Sequence, residues 1–217
     1  MSVARPKALI FDWDNTLVDT WPVIHAALFE TFTAMGQTPW TLAETRLRVR
    51  LSMRESFPIL FGDRWTAARE IFYEAYERVH LDRLVACEGA GAVLSGLHNA
   101  GFYLAVISNK TGRYLRAEAL HLGWDGYFGQ VIGAGDAPRD KPAPDPVSLA
   151  LEGSGVAAGG QVWMIGDSGV DMEIAHATGL VPVLLRGGAP AAGEFDAYPP
   201  SLHVADCRGL LDMVKDL

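Results

Sequence analysis

The sequence predicts an α/β fold, with a mainly parallel sheet sandwiched between helices and a small all-helical domain inserted after the first strand. Three observations predict it. Short, uninterrupted apolar runs (Ala8–Phe11, 104–108, Val162–Gly166 and Val181–Leu185) alternate with stretches of helical spacing. Such runs suit strands buried on both faces, and their alternation with helices is the pattern of βαβ units. Residues 21–85, by contrast, show helical texture only. They balance eight Arg against eight Asp or Glu, whereas the 217-residue chain carries a net charge of −8. A segment with its own charge balance reads as a separate module, so 1–18 and 86–217 form the predicted core and 19–85 the insert.

In the insert, Ile24, Leu28 and Phe32 recur at helical spacing over 21–35. Pro22 suits a first turn, and Gly36 a stop. Thr41-x-x-Glu44 and Ser52-x-x-Glu55 read as capping boxes opening two short helices. A longer helix, 64–84, aligns Ile71, Ala75 and Val79 on one face. Phe57, Phe61, Trp65, Phe72 and Tyr76 are expected to fill the core of this module. After residue 88 the strands at 104–108, 131–132, Val162–Gly166 and Val181–Leu185 are separated by helices near 91–100, 112–121, 146–153 and 170–178. A Gly/Ala/Pro-rich loop then precedes a last short strand and helix.

Composition narrows the function. With 49% hydrophobic and 20% charged residues, the chain buries a sizeable core. The negative net charge argues against a general nucleic-acid or membrane-surface binder. Cys87 and Cys207 lack metal-ligand spacing and are too few for a disulfide scaffold. The six histidines are scattered singly, so none suggests a metal ligand. No basic-then-apolar leader and no run of spanning length is seen, so a cytoplasmic protein is the default expectation.

Chemistry gathers at the strand ends, where ligands sit in open parallel sheets. The first strand runs into Asp12 and Asp14, with a turn at Asn15-Thr16. The second ends in Ser108-Asn109-Lys110. The third leads through Gly135-Asp136 to Lys141-Pro142-Ala143-Pro144-Asp145. The fourth gives Gly166-Asp167-Ser168-Gly169-Val170-Asp171. Four carboxylates converging on one spot repel, each like-charge contact costing roughly 4 kcal/mol at 4 Å and an effective dielectric of ~20. Such a cluster needs a cation. Oxygen donors without nearby His or Cys favour a hard ion such as Mg²⁺, which leaves room for water and a phosphate. Lys141 adds one fixed positive charge.

Each motif is modest alone; in this order they resemble the haloacid dehalogenase-like hydrolase superfamily, in its phosphoglycolate phosphatase-like branch. The resemblance implies a Rossmann-like core with a helical cap at 19–85. It also implies a phosphoric monoester hydrolase acting on a small phosphorylated metabolite through an aspartyl-phosphate. Asp12 would be the nucleophile and Asp14 the general acid and base. Ser108 and the Asn109 backbone N–H would hold phosphoryl oxygens, and Lys141 would neutralise the nucleophile and the transferring group. Asp12, the Asp14 carbonyl and Asp167 would bind Mg²⁺, with Asp171 in support. The cap would close over substrate and choose the leaving group.

Some positions depart from the branch or stay open. Trp13 and Asn15 stand where smaller residues or glycine are common; little effect on the chemistry is expected, although Trp13 could narrow the pocket. Lys110 is read either as a solvated surface lysine or as a substrate contact. Arg46, Arg50 and Arg54 could form a ridge that reads an anionic substrate group. The alternative, local ion pairs to Glu44 or Glu55, is preferred. Arg186 reads as a loop charge. A phosphomutase would use the same Asp pair. A phospho-acceptor regulatory module would also cluster acids around Mg²⁺, but without the acid at +2 or a helical insert. The missing lysine in 21–85 argues against a Schiff-base phosphonate hydrolase.

Overall fold

A computed structural model describes residues 4–49 and 53–215, apart from the side chains at 54 and 55. Contacts divide the chain into two compact units, 1–18 with 86–217, and 19–85.

The first unit is built on a six-stranded parallel sheet. Its strands are β1 (Ala8–Phe11), β4 (Tyr103–Thr111), β5 (Gln130–Ala134), β6 (Val162–Gly166), β7 (Val181–Leu185) and β8 (Leu202–Val204), in the order β5-β4-β1-β6-β7-β8. All four residues of β1 are buried, as an uninterrupted apolar run requires of a central strand. The strands flanking β1 align with it in register, Ala8 facing Tyr103 and Val162, Phe11 facing Val106 and Ile165. The chain therefore leaves β1, β4 and β6 side by side. This is also where strand order reverses, because β4 and β5 lie on one side of β1 and β6 to β8 on the other.

Helices α5 (Ala90–Asn99), α6 (Gly112–His121), α7 (Asp145–Ala150), α8 (Gly169–Thr178) and α9 (Cys207–Lys215) connect and cover these strands. One face of the sheet packs Ala8, Ile10, Ala105, Ile107 and Met164 against Val147, Ala150, Ile174 and Ala175 of the helices. The strands and helices fall where their periodicity predicts, although β4 runs three residues further, through Thr111. Two short strands, β2 (Val18–Asp19) and β3 (Val85–Ala86), pair where the chain leaves and re-enters this unit.

The second unit contains α1 (Trp21–Ala34), α2 (Leu42–Arg48), α3 (Met53–Phe61) and α4 (Trp65–Val79). Its core is aromatic. Phe57 meets Phe61 and Phe72 edge-on at 5.1 and 5.7 Å, and Phe32 meets Phe61 at 5.3 Å. The capping box at Thr41 is formed, with the Glu44 N–H donating to Thr41 Oγ1 and the Thr41 N–H to Glu44 Oε2. The one predicted at Ser52–Glu55 lies outside the described residues.

Two readings of this unit need correction. Helix α4 ends at Val79 rather than 84. Its buried face is Ala68, Phe72, Ala75 and Tyr76, with Ile71 and Val79 only half-buried, because the aromatic side chains bury more area than the aliphatic ones. Helix α2 ends at Arg48, with Val49 extended. Arg46 pairs with Asp19 at 2.7 Å, and it is Arg48 that pairs with Glu44. Arg50 and the Arg54 side chain lie outside the described residues.

Candidate active site

The site is assembled at the carboxyl ends of β1, β4 and β6, all within the first unit. Beyond Phe11 the chain turns back on itself. The Leu17 and Val18 N–H groups both donate to the Trp13 carbonyl, and Asn15 adopts a left-handed φ of 59°. Asn tolerates that conformation better than most residues, which suits it to this turn. The Asp12 N–H donates to the Ile165 carbonyl at 2.8 Å, tying the end of β1 to β6.

Lys141 reaches the same point from the loop after β5, following which the Lys141–Pro142 bond is cis. Its ammonium donates to Asp12 Oδ1 at 2.6 Å and to Asp171 Oδ1 at 2.7 Å, and all three residues are buried. Asp171 lies in the first turn of α8. Its second oxygen accepts from the Ser168 N–H at 3.1 Å and the Ser168 hydroxyl at 2.6 Å. Gly166 makes this packing possible, since a Cβ there would come within 2.3 Å of the Asp171 side chain. Carboxylate oxygens of Asp12, Asp167 and Asp171 lie within 4.8 Å of one another.

Ser108, at the end of β4, is buried, and its Oγ accepts from the Lys110 N–H at 3.1 Å. The exposed Asn109 side chain donates to the Lys141 carbonyl at 3.0 Å, linking the second motif to the third. The motif residues Asp12, Asp14, Ser108, Asn109, Lys141, Asp167 and Asp171 thus stand on adjacent strand ends and the loops that follow them.

The charges are not balanced by protein alone. Burial pushes the Asp12 carboxyl well above the ordinary carboxylate range. Lys141 opposes the shift, while Asp171, Asp167 and Asp14 add to it. Burial and Asp171 likewise raise Asp167 to about 7, against Lys141 and Arg186. Burial would lower the Lys141 ammonium, but Asp12 and Asp171 beside it raise it instead, so it stays charged. One ammonium, Lys141, among the carboxylates of Asp12, Asp167 and Asp171 leaves an excess of negative charge in a desolvated place. Asp12 Oδ1 and both Asp171 oxygens are already engaged, which leaves Asp12 and Asp167 to supply donors. Such an all-oxygen set fits a hard divalent cation.

Lys110 and Arg186 differ from their surface readings, and Trp13 is built into the core. Trp13 is fully buried. Its indole N–H donates to Glu118 Oε2 at 2.7 Å, and its ring meets Trp124 edge-on at 5.9 Å. The Lys110 side chain is only 6% exposed, so it is not a solvated surface lysine. It lies 2.5 Å from Glu118 and, as an ion pair without hydrogen-bond alignment, 2.7 Å from Asp14 Oδ1. Arg186 is more than a loop charge. It makes a two-pronged pair with Glu194 at 2.8 Å and reaches the Asp167 carbonyl at 3.4 Å, bracing the loop that carries this acid.

Glu118 escaped sequence reasoning altogether. The signal was available, because this charged residue falls on the buried face of α6 beside Tyr114, Leu115 and Ala119. A fully buried carboxylate requires a partner.

Comparison with known proteins agrees with this geometry. The family description "Haloacid dehalogenase-like hydrolase" matches residues 9–184. The chain belongs to the haloacid dehalogenase-like hydrolase family. A phosphoglycolate phosphatase of Pseudomonas fluorescens is 29% identical over 95% of this chain and 79% of its own length. One from Xanthomonas campestris pv. campestris is 30% identical over 84% of each chain. Among solved structures, a HAD-superfamily hydrolase from Ehrlichia chaffeensis is 28% identical with a TM-score of 0.69, covering 100% of this chain and 99% of that one. The protein is an enzyme of this family and falls in its phosphoglycolate phosphatase-like branch, of the phosphoric monoester hydrolase class. Among the described residues no helix is long and apolar enough to cross a membrane.

Proposed function

We propose that this haloacid dehalogenase-like hydrolase is a Mg²⁺-dependent phosphatase that hydrolyses a small phosphorylated metabolite, phosphoglycolate or a sugar phosphate in class, through an aspartyl-phosphate. One observation carries the reading: Lys141 holds Asp12 and Asp171 in a single buried cluster, with Asp167 within reach of both. That is a nucleophile held beside a fixed cation and a metal-ligand set. The similarity to phosphoglycolate phosphatases supports the substrate class.

The steps follow from the chain's own groups. An Asp12 carboxylate oxygen attacks phosphorus while the bond to the leaving oxygen breaks. Asp14 gives that oxygen its proton, so an alcohol departs and Asp12 carries the phosphoryl group. Asp14, now a base, takes a proton from water. The water oxygen attacks phosphorus, the bond to Asp12 breaks, and phosphate leaves with both acids restored. Ser108 and the Asn109 N–H hold the phosphoryl oxygens, while Lys141 keeps Asp12 oriented and offsets the transferring charge. Asp12, Asp167 and the Asp14 carbonyl, with Asp171 in support, would hold a Mg²⁺ ion, which would supply further neutralisation of the phosphoryl charge. Residues 1–18 and 86–217 form the catalytic core in this reading, and 19–85 the cap.

Turnover of a general phosphate ester with and without Mg²⁺ tests the reading. Asp12→Asn is expected to remove Mg²⁺-dependent phosphate release, by about four orders of magnitude or more. Undiminished release would dismiss Asp12 as nucleophile. A bisphosphate intermediate seen by phosphorus NMR would instead reveal a phosphomutase.

A further inference from the structure

We infer that Lys110 and Glu118 form a buried strut that holds the Asp14 carboxyl in the position from which it passes its proton to the leaving oxygen. The inference rests on the phosphatase reading and adds two positioning residues to it.

The strut has a defined direction. Glu118 is fully buried on α6, and its Oε2 receives two donors, the Lys110 ammonium at 2.5 Å and the Trp13 indole N–H at 2.7 Å. Both donors act on the segment that carries the two catalytic acids. Trp13 lies between Asp12 and Asp14 in sequence, and Lys110 Nζ lies 2.7 Å from Asp14 Oδ1. The lysine is fixed at its root as well, because its N–H donates to Ser108 Oγ at 3.1 Å. One carboxylate on α6 therefore secures two points of the 13–14 turn through groups based on two different strands.

The Asp14 carboxylate itself is divided. Its Oδ1 is buried against Lys110, yet the side chain as a whole is 32% exposed, so the exposure belongs to the Oδ2 side. The ammonium grips the inner oxygen and leaves the outer one presented. An acid that must meet a leaving oxygen in one step and a water in the next gains from such a fixed orientation.

Stability alone does not account for the pair. Taking an ammonium and a carboxylate out of water costs several kcal/mol per ion, and apolar side chains of similar volume often serve the fold as well or better. The surplus lies in the geometry, an ion pair whose second contact is Asp14.

The leaving group makes the idea testable. An alkyl phosphate such as 2-phosphoglycolate loses a poor leaving group that needs the proton. The nitrophenolate of p-nitrophenyl phosphate departs without one. Since kcat/KM reports the path up to phosphoenzyme formation, the ratio of alkyl to aryl kcat/KM isolates the acid step. Lys110→Met alone would strand the buried Glu118, so the informative variant is Lys110→Met with Glu118→Gln, which keeps an acceptor for Trp13. At saturating Mg²⁺ this double variant is expected to lower the alkyl-to-aryl ratio about 100-fold. Asp14→Asn should lower it at least as far. Equal losses on both substrates, or no change in the ratio, would overturn the strut. If Asp12→Asn still turned over either substrate, or Asp14→Asn left the ratio unchanged, the phosphatase reading itself would fail. An inactive Asp12→Asn and a selective Asp14→Asn beside an unselective double variant would remove the strut alone.

Discussion

A carboxylate buried beside three others is an unfavourable arrangement unless a cation answers it, and Asp12 is in that position. Lys141 answers part of the charge, and it does so while fixing the Asp12 and Asp171 oxygens. Asp167 makes no hydrogen bond to Lys141 and is the metal donor in the proposed reading. Asp167→Asn is expected to raise the Mg²⁺ concentration for half-maximal activity at least about tenfold. The same substitution removes one of the repelling charges, so the metal-free variant should melt higher than the metal-free wild type. Thermal melts with and without Mg²⁺ check both signs. Asp12, Asp14, Ser108 and Asp167 could be singled out in the sequence because they end or closely follow buried apolar runs, whereas Lys141, in the loop after β5, and Asp171, in the first turn of α8, stood out only through the order of the motifs. Trp13, Lys110 and Glu118 could not be assigned in the same way. Their significance is a contact between β1, β4 and α6, and such pairing depends on how strands are placed side by side.

At the level of elements, the register of β1 with β4 and β6 is what brings the motifs together. The apolar runs predicted these strands well, since a strand buried on both faces has a simple pattern. Neighbour relations were not contained in those runs. Helix α4 stops short of its predicted end, and Phe72, Ala75 and Tyr76 are buried as expected, whereas Ile71 and Val79 are only half-buried. Gly166 ends β6 against Asp171, so Gly166→Ala must displace that side chain. The expected cost is about 1–3 kcal/mol of stability together with a fall in kcat/KM. Calorimetry and steady-state kinetics on the same preparation would show it. On the other side of the site, the Arg116 guanidinium holds Asp136 by two hydrogen bonds, and the Gly133 N–H adds a third, joining α6 to the end of β5. The Arg116 hydrogen bond keeps the Asp136 carboxyl below its ordinary value of 3.8. A lowered carboxyl stabilises the fold fully above that ordinary value, and its contribution is lost as pH falls through the folded one. Both groups are partly exposed, so Asp136→Asn should cost only about 1 kcal/mol at neutral pH. The difference from wild type should shrink in acid below about pH 4. Urea titrations at both pH values measure it.

For the molecule as a whole, the division into a parallel α/β unit and a helical unit was legible from periodicity and charge balance. The charge balance of 21–85 marked a change of module that no single motif announces. Substrate choice was not legible, because it rests on side-chain placement outside the four motifs. If the acidic cluster is a cation site, folding and metal binding are linked. At a Mg²⁺ concentration 100 times its dissociation constant the ion should add about 2.7 kcal/mol to stability, and a chelator should remove both this increment and turnover. The central claim is that phosphorus becomes bonded to Asp12 during each cycle. Acid quenching during turnover of a phosphate ester, followed by mass spectrometry of the digested protein, tests it most directly. A phosphorylated peptide with the added group on Asp12, absent from Asp12→Asn, is the expected result. Phosphorylation at another residue, or rapid turnover with no phosphoenzyme trapped at any quench time, would contradict it.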